Sequence, residues 1–507
     1  MKHVVKRAVI NFSWQQACLA EFTALESVSV GYNSRENTFE ISHFLPVGLK
    51  NLTLENYYNS VSVAALARLV NLEELSIVAR RIDHVEVVGT LSCLRNLAFG
   101  TRDDPGADLE WVGDLARLRE LRLTNMHVKP NMRLPLDALE TLEMHSCKLA
   151  TFDFLMEAAP RLTSLVWNIW GMPDTIFESE KRQLFLRSLA KIETLRVTGY
   201  SLVNPLSMIF NLTTLKTLEL RVRTFDDLTP LANFVHLEEL VLYASNADWS
   251  PIAQCKKLRV IDQGSEFDER NDSSARALQQ LPLLRTVKAP FRLCPEYPLL
   301  QITSLEVGGS DGKTCVFEPD CCPNIEVLSI DYEKMDIQSA VDNFPLLKEL
   351  SLYFDGANAD VGSLSQLTRL ERLSLAFGLR VVEDISFLLG MTHLKELLLH
   401  NTKVPEFSAL RNLKQLQSLL IEGDSTKDIS VVAELKQLRT LWLYGEPVRD
   451  LTCLYDHPRL HEVCLSQCAI CSPLARDYGG SLPIMTVFWH ANCAECVLPF
   501  WHGYEDP

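Results

Sequence analysis

The chain has 507 residues, 47% hydrophobic and 22% charged, with 49 Lys and Arg against 65 Asp and Glu for a formal net charge of −16. That balance argues against a general nucleic-acid binder, whose phosphate contacts need a positive surface, and polar residues interrupt every apolar run well short of the roughly 20 a membrane helix requires. Length alone suggests about three or four domains, a prior that fails for a repeat array.

At the N-terminus Lys2, Lys6 and Arg7 precede an apolar stretch, and no acidic residue appears before Glu21. Asn11, Ser13, Gln15 and Gln16 break that stretch, which makes a poor secretory hydrophobic region. Residues 1–24 are read as an N-terminal cap, with a mitochondrial presequence as the second reading. Of the 14 cysteines, Cys18, Cys93, Cys147 and Cys255 are scattered singly. That is the pattern of buried, reduced thiols in an intracellular protein, so the cytoplasm is the expected compartment. Sequons at Asn51, Asn211 and Asn271 matter only in a secreted chain.

From residue 25 the chain repeats. Leu72, Leu75 and Ile77 form an LxxLxL unit, as do Leu118–Leu121–Leu123, Leu215–Leu218–Leu220, Leu237–Leu240–Leu242, Leu347–Leu350–Leu352 and Leu370–Leu373–Leu375. Looser copies such as Leu25–Val28–Val30 and Leu482–Met485–Val487 fill the gaps. The 21 copies have first anchors from Leu25 to Leu482, so that 20 intervals span 457 residues, about 23 each, inside the leucine-rich-repeat range. Alternate side chains of the xLxL stretch point to opposite faces of a short strand. The leucines therefore enter a core, and the residues between them face outward. One repeat cannot bury its own leucines, so neighbours must stack into a continuous parallel β-sheet lining a concave face.

The half after each strand also repeats, as in Phe225–Leu237 and Asp384–Leu394. These stretches resemble the short repeats of internalins and of the leucine-rich regulatory subunit of protein phosphatase 1, over about residues 20–490. The resemblance implies an α/β leucine-rich-repeat solenoid with 3₁₀ turns, loops or short helices on its convex side and a role in protein binding. Met126, Cys147 and Cys468 stand where that family places an Asn after the strand, which predicts an irregular loop ladder.

Three intervals break the period. Leu162 to Ile192 spans 30 residues with a helix expected over Glu178–Leu189, and Leu258 to Leu284 spans 26 with a helix expected over Ser273–Leu281. Leu284 to Ile302 spans only 18 and holds Pro290, Pro295 and Pro298. Proline cannot donate to a ladder, so a kink there is expected to divide the array into sub-arrays 25–289 and 290–489, although all three intervals also read as tolerated loop variation. Residues 490–507, with Phe500, Trp501 and Tyr504, are read as a C-terminal cap over the last leucines.

The motif search finds little chemistry. Val307–Thr314 looks like a phosphate loop, but Val307 occupies the place of its first glycine, and an inter-repeat turn explains it. Cys468, Cys471, Cys493 and Cys496 have spacing close to a zinc ribbon, and an offset of one repeat adds His490. Buried loop cysteines are the preferred reading, so no metal or other cofactor is expected. The 12 histidines are dispersed, and no HExxH, GxSxG or kinase set appears; the chain is expected not to be an enzyme.

The concave face is the informative surface. Register predicts Leu398, Leu420 and Trp442 in one row, with His400, Glu422 and Tyr444 in the next and Tyr353 nearby. Clustered aromatic and aliphatic side chains of this kind resemble a binding hot spot. Arg196, Arg221 and Arg223, with Tyr200 close by, form a basic spot that could receive an acidic or phosphorylated segment, or could pair with Glu193 and Glu219 on the same face. The expectation is a non-catalytic scaffold or adaptor binding a protein partner in the cell. The alternatives are a structural subunit of a large complex, including a ribonucleoprotein touched through the arginines, and a substrate-recognition or regulatory subunit of a ubiquitin ligase or phosphatase.

Overall fold

The computed structural model describes residues 7–11, 25–31, 39–40, 45–103, 109–129, 138–149, 161–168, 180–199, 206–221, 225, 227–244, 247–264, 272–289, 296–315, 317–354, 361–377, 384–404, 407–423, 426–445, 448, 450, 452–454, 457–466 and 485–488. The chain divides into two compact units, residues 1–258 and 259–507.

In unit 1 the strands are β1 (Arg7–Asn11), β2 (Ser27–Gly31), β3 (Phe39–Glu40), β4 (Asn51–Ser62), β5 (Glu74–Asp83), β6 (Asn96–Thr101), β7 (Glu120–Thr124), β8 (His127–Val128), β9 (Thr141–His145), β10 (Lys148–Leu149), β11 (Ser164–Asn168), β12 (Thr194–Thr198), β13 (Thr217–Arg221) and β14 (Glu239–Leu242). They pair in parallel in the order β1-β2-β4-β5-β6-β7-β9-β11-β12-β13-β14, with β3 alongside the end of β4 and β8 paired to β10. Unit 2 holds β15 (Val260–Asp262), β16 (Thr286–Ala289), β17 (Ser304–Cys315), β18 (Val327–Met335), β19 (Glu349–Phe354), β20 (Arg372–Phe377), β21 (Glu396–Thr402), β22 (Ser418–Gly423), β23 (Thr440–Tyr444), β24 (Glu462–Ser466) and β25 (Met485–Phe488). Each is parallel to the next.

The period-2 reading of the strands holds through their leucine positions and breaks at the end of β6 and in β14, where consecutive residues are buried. In β9, β11 and β12 the burial alternates, half-buried then buried. Leu142 pairs with Leu165, and Leu165 with Leu195, so like positions stack on like. The same register continues through Leu350, Leu373, Leu397, Leu419 and Leu441 in unit 2. Phe99 and Trp111 join the core edge to face at 5.4 Å, a geometry that aromatic quadrupoles favour.

Between strands the chain returns through 3₁₀ turns, among them Glu110–Asp114, Thr229–Asn233, Ser250–Gln254, Ser386–Gly390 and Ser430–Glu434. Helices replace them at α1 (Glu180–Ser188), α2 (Leu206–Ile209), α3 (Asp272–Gln279) and α4 (Ile337–Asn343). The first and third are the two helices expected in the long intervals. The fourth starts at Asp336, whose side chain accepts a hydrogen bond from the Ser339 N–H at 3.2 Å, a standard N-cap. Across the short proline-bearing interval the ladder keeps its register, from Thr286 opposite Ser304 to Ala289 opposite Val307. Val307 lies within β17, a strand that runs on to Cys315, in place of the isolated turn expected there.

A capping device recurs that the sequence reading did not single out. Asp227, Asp248, Asp384, Asp428 and Asp450 each accept the backbone N–H two residues on, from Thr229, Ser250, Ser386, Ser430 and Thr452, at 2.7–3.0 Å. Each bond fixes the entry to a 3₁₀ turn, as Asx-turns do. The Asp384 and Asp450 carboxyls lie below the usual range, held there first by that N–H and then by the hydroxyl of the same residue. At Asp227 the Thr229 hydroxyl leads and the N–H follows. A carboxyl with a depressed folded pKa adds stability above its unfolded value, and that stability is lost as pH falls through the folded value. The melting temperature should therefore drop as pH is lowered past about 4, and the drop should be shallower in Asp384→Ala; an equally steep drop in the variant would remove the caps as its source.

The expected irregularity after the strands is not observed where Met126 and Cys147 stand. Both side chains are fully buried. Lys148 and Leu149 pair in register with His127 and Val128. Cys147 Sγ donates to the Leu123 carbonyl of the preceding turn at 3.4 Å, and Cys255 and Cys453 donate likewise to Leu231 and Ile429. A thiol is small and apolar enough to be buried and still donates weakly, so it serves where an asparagine would. Asn125 and Ser146, one residue earlier, take left-handed backbone with φ of 55° and 53°, which short polar side chains tolerate. Cys468 lies outside the described residues. Burial pushes the thiols of Cys147 and Cys255 up to about 11 and that of Cys322 to about 12. These cysteines should stay unmodified by a water-soluble thiol reagent at neutral pH until denaturant is added; labelling of the folded chain at any of them, read by mass spectrometry, would contradict this placement.

Candidate functional site

The outward positions of β21 to β23 carry a row of large apolar side chains. Leu398 lies opposite Leu420 and Leu420 opposite Trp442. All three are half-buried, while the flanking Leu397, Leu399, Leu419, Ile421, Leu441 and Leu443 are buried. Small residues, Ser374 and Ala376, precede them on β20.

The neighbouring row is polar and aromatic. His400 Nδ1 and Glu422 Oε2 lie 2.8 Å apart, and Glu422 stands opposite Tyr444. Tyr353 on β19 is 49% exposed and lies opposite Ala376, itself opposite His400. The structure thus brings together every residue that the sequence placed in these two rows. Trp442 Nε1 is desolvated without a hydrogen-bond partner, a group that usually finds one when buried.

The arginines of unit 1 are arranged differently. Glu219, with a side chain only 14% exposed, sits between two of them: Arg221 Nε approaches at 2.6 Å and Arg196 Nε at 3.6 Å. Arg196 also reaches Glu239 at 3.9 Å, and the Arg221 guanidinium lies over the Tyr243 ring at 5.2 Å. Glu193 instead pairs with Lys216 at 2.7 Å. The two arginines are therefore matched by two carboxylates. Tyr200 and Arg223 lie outside the described residues, as do Cys468, Cys471, His490, Cys493 and Cys496 and the C-terminal cap.

A second feature of the sheet was missed. Thr53, Ser76 and Ala98, the middle positions of three successive strands, leave a trough of about 200 Å³. Its wall is formed by Asn51, Glu74, Asn96 and Glu120. The signal was present in the sequence as three small residues in a row at one repeat position.

No family model matches the chain, and no curated protein matches it in sequence. Solved structures do match. An internalin from Listeria monocytogenes aligns at 16% identity over 81% of this chain and 84% of its own, with a TM-score of 0.24. A leucine-rich-repeat protein of Leptospira interrogans aligns at 15% identity over 84% and 92%, with a TM-score of 0.35. TLR13, in a complex with ssRNA13, aligns at 14% identity over 92% and 85%, with a TM-score of 0.49. Among the described residues no helix is long and apolar enough to cross a membrane. With leucines stacked in register on parallel strands and 3₁₀ turns between them, the chain has the fold of a leucine-rich-repeat solenoid.

Proposed function

We propose that the protein is a non-catalytic interaction scaffold that captures a protein partner on the concave sheet of unit 2. The observation that carries this reading is the row Leu398–Leu420–Trp442, three large apolar side chains held half-buried on adjacent strands in register. Anchors fixed on a hydrogen-bonded sheet lose little conformational freedom when a partner closes over them, and Trp and Tyr are the residues that dominate such contacts. Tyr353, His400, Glu422 and Tyr444 form the polar flank, in which the 2.8 Å contact between His400 and Glu422 sets their orientation.

The arginine cluster supports a lesser role. With Arg196 and Arg221 both turned to Glu219, an anionic partner would have to displace an existing pair, which disfavours the ribonucleoprotein reading. Free cysteines at Cys93, Cys147, Cys255, Cys321, Cys322 and Cys453 support a reducing, intracellular setting.

The test is affinity purification with mass spectrometry of wild-type chain and Trp442→Ala side by side. Proteins retained by the wild type and depleted from the variant support the reading; identical retained sets would sink it.

A further inference from the structure

We propose that unit 1 carries a second docking surface, a trough for an extended basic peptide whose two Lys or Arg side chains, three residues apart, meet Glu74 and Glu120. This surface is separate from the apolar row of unit 2 and does not rest on it.

The shape comes from small side chains in register. Thr53 lies opposite Ser76 and Ser76 opposite Ala98. Arg122 ends this floor on the next strand, where its charge is matched by Glu143 at 2.5 Å, both residues lining the end of the trough. Burial pushes the Glu143 carboxyl up, but the hydrogen bonds and charge of Arg122, then of His145, outweigh it and keep it ionised. One wall is the row Asn51, Glu74, Asn96 and Glu120. Beyond Ala98 on the same strand, Gly100 is packed against Thr124, with Thr124 Cβ 2.9 Å from where a Gly100 Cβ would stand.

The chemistry comes from unmatched charge. Elsewhere on this sheet Glu143 meets Arg122, Glu219 meets Arg196 and Arg221, and Glu193 meets Lys216. The cations that precede these strands are Lys50, Arg95 and Arg119, and the last two already face Glu73 and Glu140 at 4.0 Å. Glu74 and Glu120 differ. Among the described residues neither has a Lys, Arg or His within ion-pair distance, and the polar partner of Glu74 is Asn51 Nδ2 at 2.7 Å. Two exposed carboxylates beside an open trough present a surface complementary to cations.

The spacing narrows the ligand. Glu74 is on β5 and Glu120 on β7, two strand steps or about 10 Å apart. A polyproline II segment has three residues per turn and rises about 3.1 Å per residue, so side chains at i and i+3 share a face about 9 Å apart. Basic residues at i and i+3 therefore reach both carboxylates while the backbone lies over Ser76 and Ala98 and ends beside Arg122. Adjacent basic residues point to different faces and reach only one.

Fluorescence anisotropy on the full chain tests this with three labelled proline-rich peptides: one with Arg at i and i+3, one with the same two Arg adjacent, one with both Arg replaced by Gln. The i, i+3 peptide should bind at least tenfold more tightly than the others and weaken as salt is raised. Glu74→Gln with Glu120→Gln should cost at least tenfold, as should Ala98→Phe, which fills the floor, both with an unchanged melting temperature. Trp442→Ala should leave peptide binding unchanged. No saturable binding, equal binding of the three peptides, binding indifferent to the Gln variants, or loss of binding in Trp442→Ala would each overturn the proposal.

Discussion

Replacing Leu399 by Ala should lower the stability of unit 2 by about 3 kcal/mol. Leu399 is fully buried and lies between Leu375 and Ile421 in register. Removing its branched end deletes contacts on both sides at once, because each turn of the array packs on the turn before and the turn after. The leucines of adjacent turns are themselves tied by backbone ladders, so the cavity cannot collapse by sliding one strand toward the other. The outward position of the same sheet is the control. Ser374 is half-buried and faces away from the leucines, so Ser374→Ala should shift stability by no more than about 0.5 kcal/mol. Denaturant titration followed by circular dichroism reads both. Comparable midpoints for the two variants would contradict the assignment of inner and outer faces on which everything else here depends.

Trp442→Ala combined with Leu420→Ala should weaken partner binding by about 2–4 kcal/mol, thirtyfold or more. The expected loss is large because the two residues are neighbours in one row. A partner closing over them would dehydrate both together. Their effect on folding should be much smaller. Both side chains are only half-buried, and Trp442 Nε1 has no hydrogen-bond partner to lose. Ser374→Ala, on the outward face of the neighbouring strand, offers no anchor to remove and should change affinity little. A double variant that binds as tightly as wild type, with its melting temperature unchanged, would exclude this row as the anchor.

Most of the fold was legible because a repeat states its own geometry many times. A single LxxLxL is weak evidence, but Leu142, Leu165 and Leu195 in one line follow directly from spacing once alternation is assumed. The rows Leu398–Leu420–Trp442 and Glu422–Tyr444 follow from the same spacing. What periodicity could not supply was pairing between side chains. Glu193 and Glu219 both stood as candidate partners for the arginines, yet Glu219, opposite Arg196, takes both Arg196 and Arg221, while Glu193, level with Lys216, takes that lysine. The reach of Arg221 back along its own strand to Glu219 completes a matched cluster. The loop positions were misjudged for a related reason. An asparagine replaced by Met126 or Cys147 looks like a lost hydrogen bond, but burial and a weak thiol donor fill the same place. The Asp caps were readable in principle: Asp-x-Ser or Asp-x-Thr recurs before the 3₁₀ turns at Asp227, Asp248, Asp384, Asp428 and Asp450. The pattern is short and polar, and the stronger leucine period runs straight through it.

Hydroxyl-radical footprinting of the purified chain with and without its captured partner tests the central claim most directly. Trp442, Tyr444, His400 and Tyr353 should all lose oxidation on binding, while Leu389, 50% exposed in a 3₁₀ turn away from the strands, should not change. Undiminished oxidation of Trp442 and Tyr444, with protection falling on Leu389 instead, would place the partner on the other side of the sheet and contradict the proposed function.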